Sequence, residues 1–185
     1  MEYVILFVFG IAVGSFINVV ILRYLPGERL LKNVKRLGGR SHCPHCRKQL
    51  SWYELVPVIS FIIQRGKCRK CRKPISWQYP IVELISGLIF VFVPYQLLNY
   101  SITQLPITQL LNYQLLATAL WLLIFELFLI LAVIDFRKYI IPDEITITLG
   151  ALGLALILIQ VIGGIFSSVS SEFFKSYALL FGLRQ

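Results

Sequence analysis

Long stretches without a single charge decide most of what this chain can become. Tyr3 to Leu22 is uncharged over 20 positions and Ile145 to Phe166 over 22. Each can cross a hydrocarbon layer as a helix, which takes roughly 20 apolar residues at ~1.5 Å rise. Two further runs, Pro80 to Leu98 and Leu115 to Ile134, carry one carboxylate each, Glu83 and Glu126. Four transmembrane helices are therefore expected. Phe173 to Leu183, apolar apart from Lys175, is 11 residues long, about half the reach of a span, and reads as a span that starts and is cut off. With 57% hydrophobic against 15% charged residues and a mean hydropathy of +0.76, a soluble enzyme with a polar surface is excluded. The expected class is all-α and polytopic: residues 1–22 a first transmembrane helix, 23–79 a basic loop, and 80–185 further helices, incomplete at the C-terminus.

The net charge of +9 could point to nucleic acid or to a membrane surface, and its location separates the two. Of 18 basic residues, 14 lie between Arg23 and Lys73, where the only acids are Glu28 and Glu54. Short loops rich in Lys and Arg stay on the cytoplasmic side, so this loop is expected there and Met1 outside. Alternation puts the uncharged segment Asn99 to Gln114 outside and returns Asp135 to Glu144 to the cytoplasm. Met1 to Val13 lacks a basic n-region, so the first helix is expected to stay as an anchor. The outer loop echoes itself, Gln96 to Tyr100 recurring as Gln109 to Tyr113 across Pro106, and is expected to be a linker insertion.

All four cysteines sit in the basic loop, as Cys43-Pro44-His45-Cys46 and Cys68-Arg69-Lys70-Cys71 with 21 residues between the pairs. Two Cys-x-x-Cys knuckles supply the four thiolates of a closed tetrahedral zinc site, and a loop between spans has little core of its own to fold around. Disulfides are the competing account, but the charge bias places the loop in a reducing compartment. His42 and His45 are expected to be bystanders. Four thiolates leave no open position, so the metal would be structural. Most of the surrounding Lys and Arg would fix topology and sit near anionic lipid headgroups rather than bind nucleic acid.

Only two of the nine acids are aspartates, Asp135 and Asp143. Asp135 closes the third apolar run at the cytoplasmic boundary. Two close carboxyls there can share one proton, leaving a base that activates water and an acid that protonates the leaving group. The plainer alternative pairs Asp135 with Arg137 or Lys138 at a helix end. Asp143 follows Pro142 ahead of an apolar run, where a helix N-cap belongs. Glu126 lies mid-span and nine residues before Asp135, half a turn out of phase, so it is expected to be a neutral, hydrogen-bonded structural group. Glu83 falls in the first turn of its helix, within reach of interfacial water. Gly10 and Gly14, one turn apart, can let another helix approach closely.

Several segments resemble, in order, the type IV prepilin peptidases, also called prepilin leader peptidase/N-methyltransferases. These are Gly14 to Val19 with Arg23 to Pro26, Ser41 to Cys46, Trp52 to Ser60, Arg65 to Cys71, Pro74 to Leu84, and Ile134 to Arg137 with Ile140 to Asp143. The resemblance covers nearly all of residues 1–150. It implies an inner-membrane aspartic peptidase that cuts type IV prepilins and type II secretion pseudopilins after a glycine, then methylates the new amino terminus with S-adenosylmethionine. Asp135 would be its first catalytic aspartate, Asp143 at most an auxiliary, and Cys43, Cys46, Cys68 and Cys71 its zinc ligands. The family takes its second aspartate from a Gly-x-Gly-Asp motif that this sequence lacks, and no aspartate follows Asp143. The resemblance thus implies a truncated or split member whose other aspartate comes from a second chain or a missing C-terminal half. The alternatives are an inactive module that binds pilin leaders or an assembly partner and, least favoured, a membrane-tethered zinc protein that binds nucleic acid.

Overall fold

The computed structural model describes residues 1–24, 39–100 and 107–162. Its helices are α1 (Glu2–Arg23), a one-turn α2 (Ile59–Ile63), α3 (Gln78–Tyr100), α4 (Ile107–Lys138) and α5 (Asp143–Ile162), with a 3-10 turn at Trp52–Glu54. Among the described residues there is no β-strand, only two isolated bridges. Met1–Thr146 forms one compact unit and Ile147–Gln185 another.

Three helical segments, Glu2–Arg23, Gln78–Leu97 and Leu115–Lys138, are long and apolar enough to cross a membrane. Their outward faces carry exposed Val4, Val8, Phe16, Leu88, Phe92 and Phe128. Water would penalise each by about 1.5–3 kcal/mol, whereas acyl chains would not. The fourth expected run is helical from Asp143 to Ile162; its continuation, like the stretch Phe173 to Leu183, lies outside the described residues. The expected loop at Asn99 to Gln114 is too long. α3 runs to Tyr100 and α4 begins at Ile107 directly after Pro106, so both copies of the Gln-Leu-Leu-Asn-Tyr echo are helical rather than linker. The physical reason is that Leu and Gln are good helix formers, and proline is tolerated where a helix begins.

α1 and α3 approach closely because three glycines let them. A Cβ on Gly10 would stand 2.7 Å from Phe90 Cβ and one on Gly14 2.8 Å from Glu83 Cα, while one on Gly87 would meet Phe7 at 2.8 Å. The small pair read from the sequence is therefore a helix contact. Polar groups then fix the register. Asn18 Nδ2 donates to the Tyr79 carbonyl (3.1 Å), and Gln78 Nε2 donates to Asn18 Oδ1 (3.4 Å).

Glu126 joins α4 to this pair as a buried, hydrogen-bonded group, in keeping with its mid-span position. Ser86 Oγ lies 2.7 Å from the Gly10 carbonyl and 2.9 Å from Glu126 Oε1. A hydroxyl has one hydrogen, and a carbonyl only accepts. Ser86 therefore donates to Gly10, and a proton between Ser86 and Glu126 must come from the carboxyl. A neutral Glu126 is the assignment that places a proton in both contacts.

Candidate functional site

The segment from Gly39 to Trp77 builds a lobe from two near-identical knuckles. In the first, Cys43 N–H donates to the Lys48 carbonyl and Arg47 N–H to the Cys43 carbonyl, both at 2.9 Å; in the second, Cys68, Lys73 and Arg72 repeat the pattern at the same distances. Flanking contacts repeat as well: Leu50 N–H donates to Ser41 and Ile75 N–H to Gly66. The sequence basis is a shared Cys-x-x-Cys-Arg-Lys. Arg47 and Arg72 both take φ 55°, the left-handed conformation that turns the chain after the second cysteine. No glycine announces these turns, so reading the sequence missed them.

The knuckles bring all four cysteine sulfurs within 4.8 Å of one another, with no histidine in the group. Cys43 and Cys71 sulfurs are 3.8 Å apart and those of Cys46 and Cys68 are 4.0 Å apart. A disulfide would need ~2.05 Å, whereas a tetrahedron with Zn–S of ~2.3 Å has sulfur–sulfur edges of about 3.8 Å. The four cysteines thus fit a metal ion. Backbone N–H groups of Cys71 and Lys70 aim at Cys68 and pull its thiol from the ordinary 9.0 to about 6. At Cys71 the Lys73 N–H is outweighed by burial and the neighbouring sulfurs, which push the thiol up to about 11, so Cys68 is the first of the pair to become a thiolate. His42 Nδ1 instead lies 3.0 Å from the Arg40 carbonyl, and His45 is exposed.

Glu54 braces the first knuckle. Its carboxylate closes a capping box with Ser51 N–H (2.9 Å) and accepts from Lys48 Nζ at 3.0 and 3.2 Å. The Ser51 N–H, aided by the Lys48 ammonium, holds Glu54 below the usual carboxylate range despite burial. The same carboxylate pushes Lys48 upward, chiefly through that hydrogen bond.

Glu83 is not at a water-facing position as its place near the helix start suggested. It is buried and accepts from Val58 N–H at 2.7 Å. The physical reason is that the lobe folds back over the first turns of α3 and supplies its own donor.

Asp135 is exposed in the last turn of α4, whose end is stopped by Tyr139 at φ 52° with its N–H donating to the Asp135 carbonyl (2.8 Å). Asp143 is also exposed and is the first residue of α5, followed by Glu144 in the same turn. Carboxylates there complement the helix dipole. Lys138 Nζ donates to the Tyr24 carbonyl and stands 5.0 Å from the centre of the Tyr24 ring. Burial, then the charges of Glu144 and Asp143, raise the Tyr24 phenol. Both aspartates therefore stand at the end of the helices where α1 gives way to the basic loop.

Residues 8–97 match the bacterial peptidase A24 N-terminal domain. The chain is 35% identical over 153 residues to a prepilin leader peptidase/N-methyltransferase of Myxococcus xanthus, covering 83% of this chain and 39% of that protein. It is 34% identical over 149 residues to the protein of the same name in Klebsiella pneumoniae (80% of this chain, 59% of that one). The Vibrio cholerae protein of that name is 37% identical over 152 residues (79% and 54%). The chain thus spans about half the length of the curated relatives it matches. No solved structure matches it.

Proposed function

The chain belongs to the prepilin leader peptidase/N-methyltransferase family, and from that premise we propose that it serves in removing leaders from type IV prepilins and type II secretion pseudopilins. In this reading the lobe and Asp135 face the cytoplasm from a bacterial inner membrane. Asp135 supplies one carboxyl of an aspartic site. Its carboxylate takes a proton from water as that water attacks the scissile carbonyl, and a second, protonated carboxyl gives its proton to the departing amine. That second carboxyl comes from outside these 185 residues, from another chain or a further segment, since the sequence holds no Gly-x-Gly-Asp. Asp143, at the same end, is a candidate auxiliary.

The observation that supports this reading most is the position of Asp135, exposed in the last turn of a membrane-length helix whose end is tied through Lys138 to Tyr24 at the root of the lobe. There a carboxylate meets water without leaving the membrane edge, where a hydrophobic pilin segment would present its leader. Cys43, Cys46, Cys68 and Cys71 would hold zinc, which when bound cross-links the two knuckles and leaves no open coordination position. The methylation in the relatives' name would use S-adenosylmethionine.

A second reading is favoured by the missing Gly-x-Gly-Asp motif: a non-catalytic membrane module whose lobe binds pilin leaders or an assembly partner. Mass spectrometry of a prepilin exposed to membranes carrying this chain and S-adenosylmethionine separates the two. Leader loss with a methyl gained at the new amino terminus supports the enzyme. Intact prepilin retained by the chain supports the module, and intact, unbound prepilin contradicts both.

A further inference from the structure

The one-turn helix α2, Ile-Ser-Phe-Ile-Ile, is two-faced. Ile59, Ile62 and Ile63 occupy positions i, i+3 and i+4, hence one side of the turn, and they are 57%, 66% and 63% exposed. Phe61 points the other way. Its ring packs edge-on against Trp77 with centroids 4.9 Å apart and sits where a Cβ on Gly66 would come within 3.1 Å. The lobe thus keeps its one phenylalanine inward and leaves three isoleucines without cover among the described residues.

The attachment of α2 sets its depth. Val58 precedes it at φ 58°, ψ −53°, the strained centre of a γ-turn closed by Ile59 N–H on the Pro57 carbonyl. For a β-branched residue this conformation is costly, and the Val58 N–H is held in place by Glu83 Oε2 at 2.7 Å. Glu83 lies five residues into α3, about 7.5 Å along a helix rising ~1.5 Å per residue. α2 therefore starts not above the end of the span but beside its second turn. There α3 exposes Ile81, Leu84, Ile85 and Leu88.

The surroundings match the boundary between lipid and water. Arg65 and Lys67 follow α2 and are exposed. Trp77, one residue before α3, and Trp52 are 70% and 80% exposed. Tryptophan and basic side chains beside an apolar patch suit headgroups above acyl chains.

We infer that the Ile59, Ile62 and Ile63 face of α2 is embedded in the bilayer beside the start of α3, pinning the cysteine lobe to the membrane surface at a fixed height above the spans. The occupant is lipid, with anionic headgroups facing Arg65 and Lys67. This inference rests on the spans and the lobe geometry, not on peptidase activity.

The test uses the full chain in vesicles of phosphatidylcholine with phosphatidylglycerol as the minority lipid. A nitroxide is attached through a genetically encoded ketone amino acid at position 62, leaving the cysteines untouched, and in separate samples at 59 and at the exposed Gln49. Collision with oxygen, which concentrates in lipid, is compared with collision with a water-soluble nickel chelate. The oxygen-to-nickel ratio at 59 and 62 is expected to exceed that at Gln49 several-fold. A ratio at both sites equal to that at Gln49 places the face in water and overturns the inference. Shielding from both reagents means that protein, such as a second copy, covers the face, and overturns it as well. Should the label at 62 prevent folding, seen as lost helical circular dichroism, position 59 decides alone.

Discussion

Lys138, the last residue of α4, donates its ammonium to the backbone carbonyl of Tyr24, the residue that ends α1. Carbonyls at a helix C-terminus have no partner within their own helix, and a cation there is favoured by the dipole. One side chain thus joins two helix ends distant in sequence and sets Asp135 beside the root of the basic loop.

Lys138→Met keeps the aliphatic stem and removes the charge. It is expected to destabilise the chain in detergent by about 1.5–3 kcal/mol, the scale of a hydrogen bond to a charged group. Thermal unfolding of the variant against the parent checks this. An unchanged midpoint would show that the contact contributes nothing.

At the buried Ser86, proton accounting predicts an unusual ranking of substitutions at Glu126. Glu126→Gln supplies an amide N–H where the neutral carboxyl supplied its proton and should unfold within about 1 kcal/mol of the parent. Glu126→Ala leaves Ser86 Oγ with an unfilled acceptor and opens a void, and should cost about 2–4 kcal/mol. Equal losses in the two variants contradict a neutral Glu126. Infrared spectra give a second check: a protonated carboxyl band present in the parent should vanish in Glu126→Gln.

Metal content should follow the four sulfurs. Purified parent protein is expected to hold one zinc per chain, Cys43→Ser and Cys68→Ser much less, and His45→Ala as much as the parent, as measured by atomic emission. Unchanged stoichiometry in the cysteine variants refutes the site.

Acid should loosen the first knuckle through Glu54. Its folded-state pKa lies below the unfolded value near 4.5, so the native lobe binds fewer protons than the unfolded one. The stability contributed by Glu54 is full above about pH 5 and is lost as the pH falls from 4.5 through the lower folded value. Hydrogen exchange at the Ser51 amide, followed against pH, should show protection fading over that window. Glu54→Gln should remove that pH dependence, and a parent-like profile in the variant contradicts the assignment.

How much of this was legible beforehand follows from the kind of information each feature needs. The spans and the cysteine cluster rest on composition and spacing, which a one-dimensional string carries in full. Gly10 and Gly14 were readable as a close-approach pair, although the facing residues Glu83, Ser86 and Phe90 were not. The end of α3 and the start of α4 were misjudged because the absence of charge marks where a span may end without saying where the helix ends. Val58 was illegible for a physical reason, since β-branched residues disfavour positive φ and only the Glu83 contact across the lobe reveals why it is adopted. The partnership of Lys138 with Tyr24 likewise depends on packing.

Asp135 as a reacting carboxyl where the helices meet the lobe can be checked by prepilin cleavage in the native membranes of cells whose own copy of this chain has been replaced by Asp135→Asn, which keeps shape and removes the charge. Leader removal is expected to fall at least a hundredfold, with the variant chain still present in the membrane at parental levels. Processing at the parental rate contradicts that role and removes Asp135 from the chemistry.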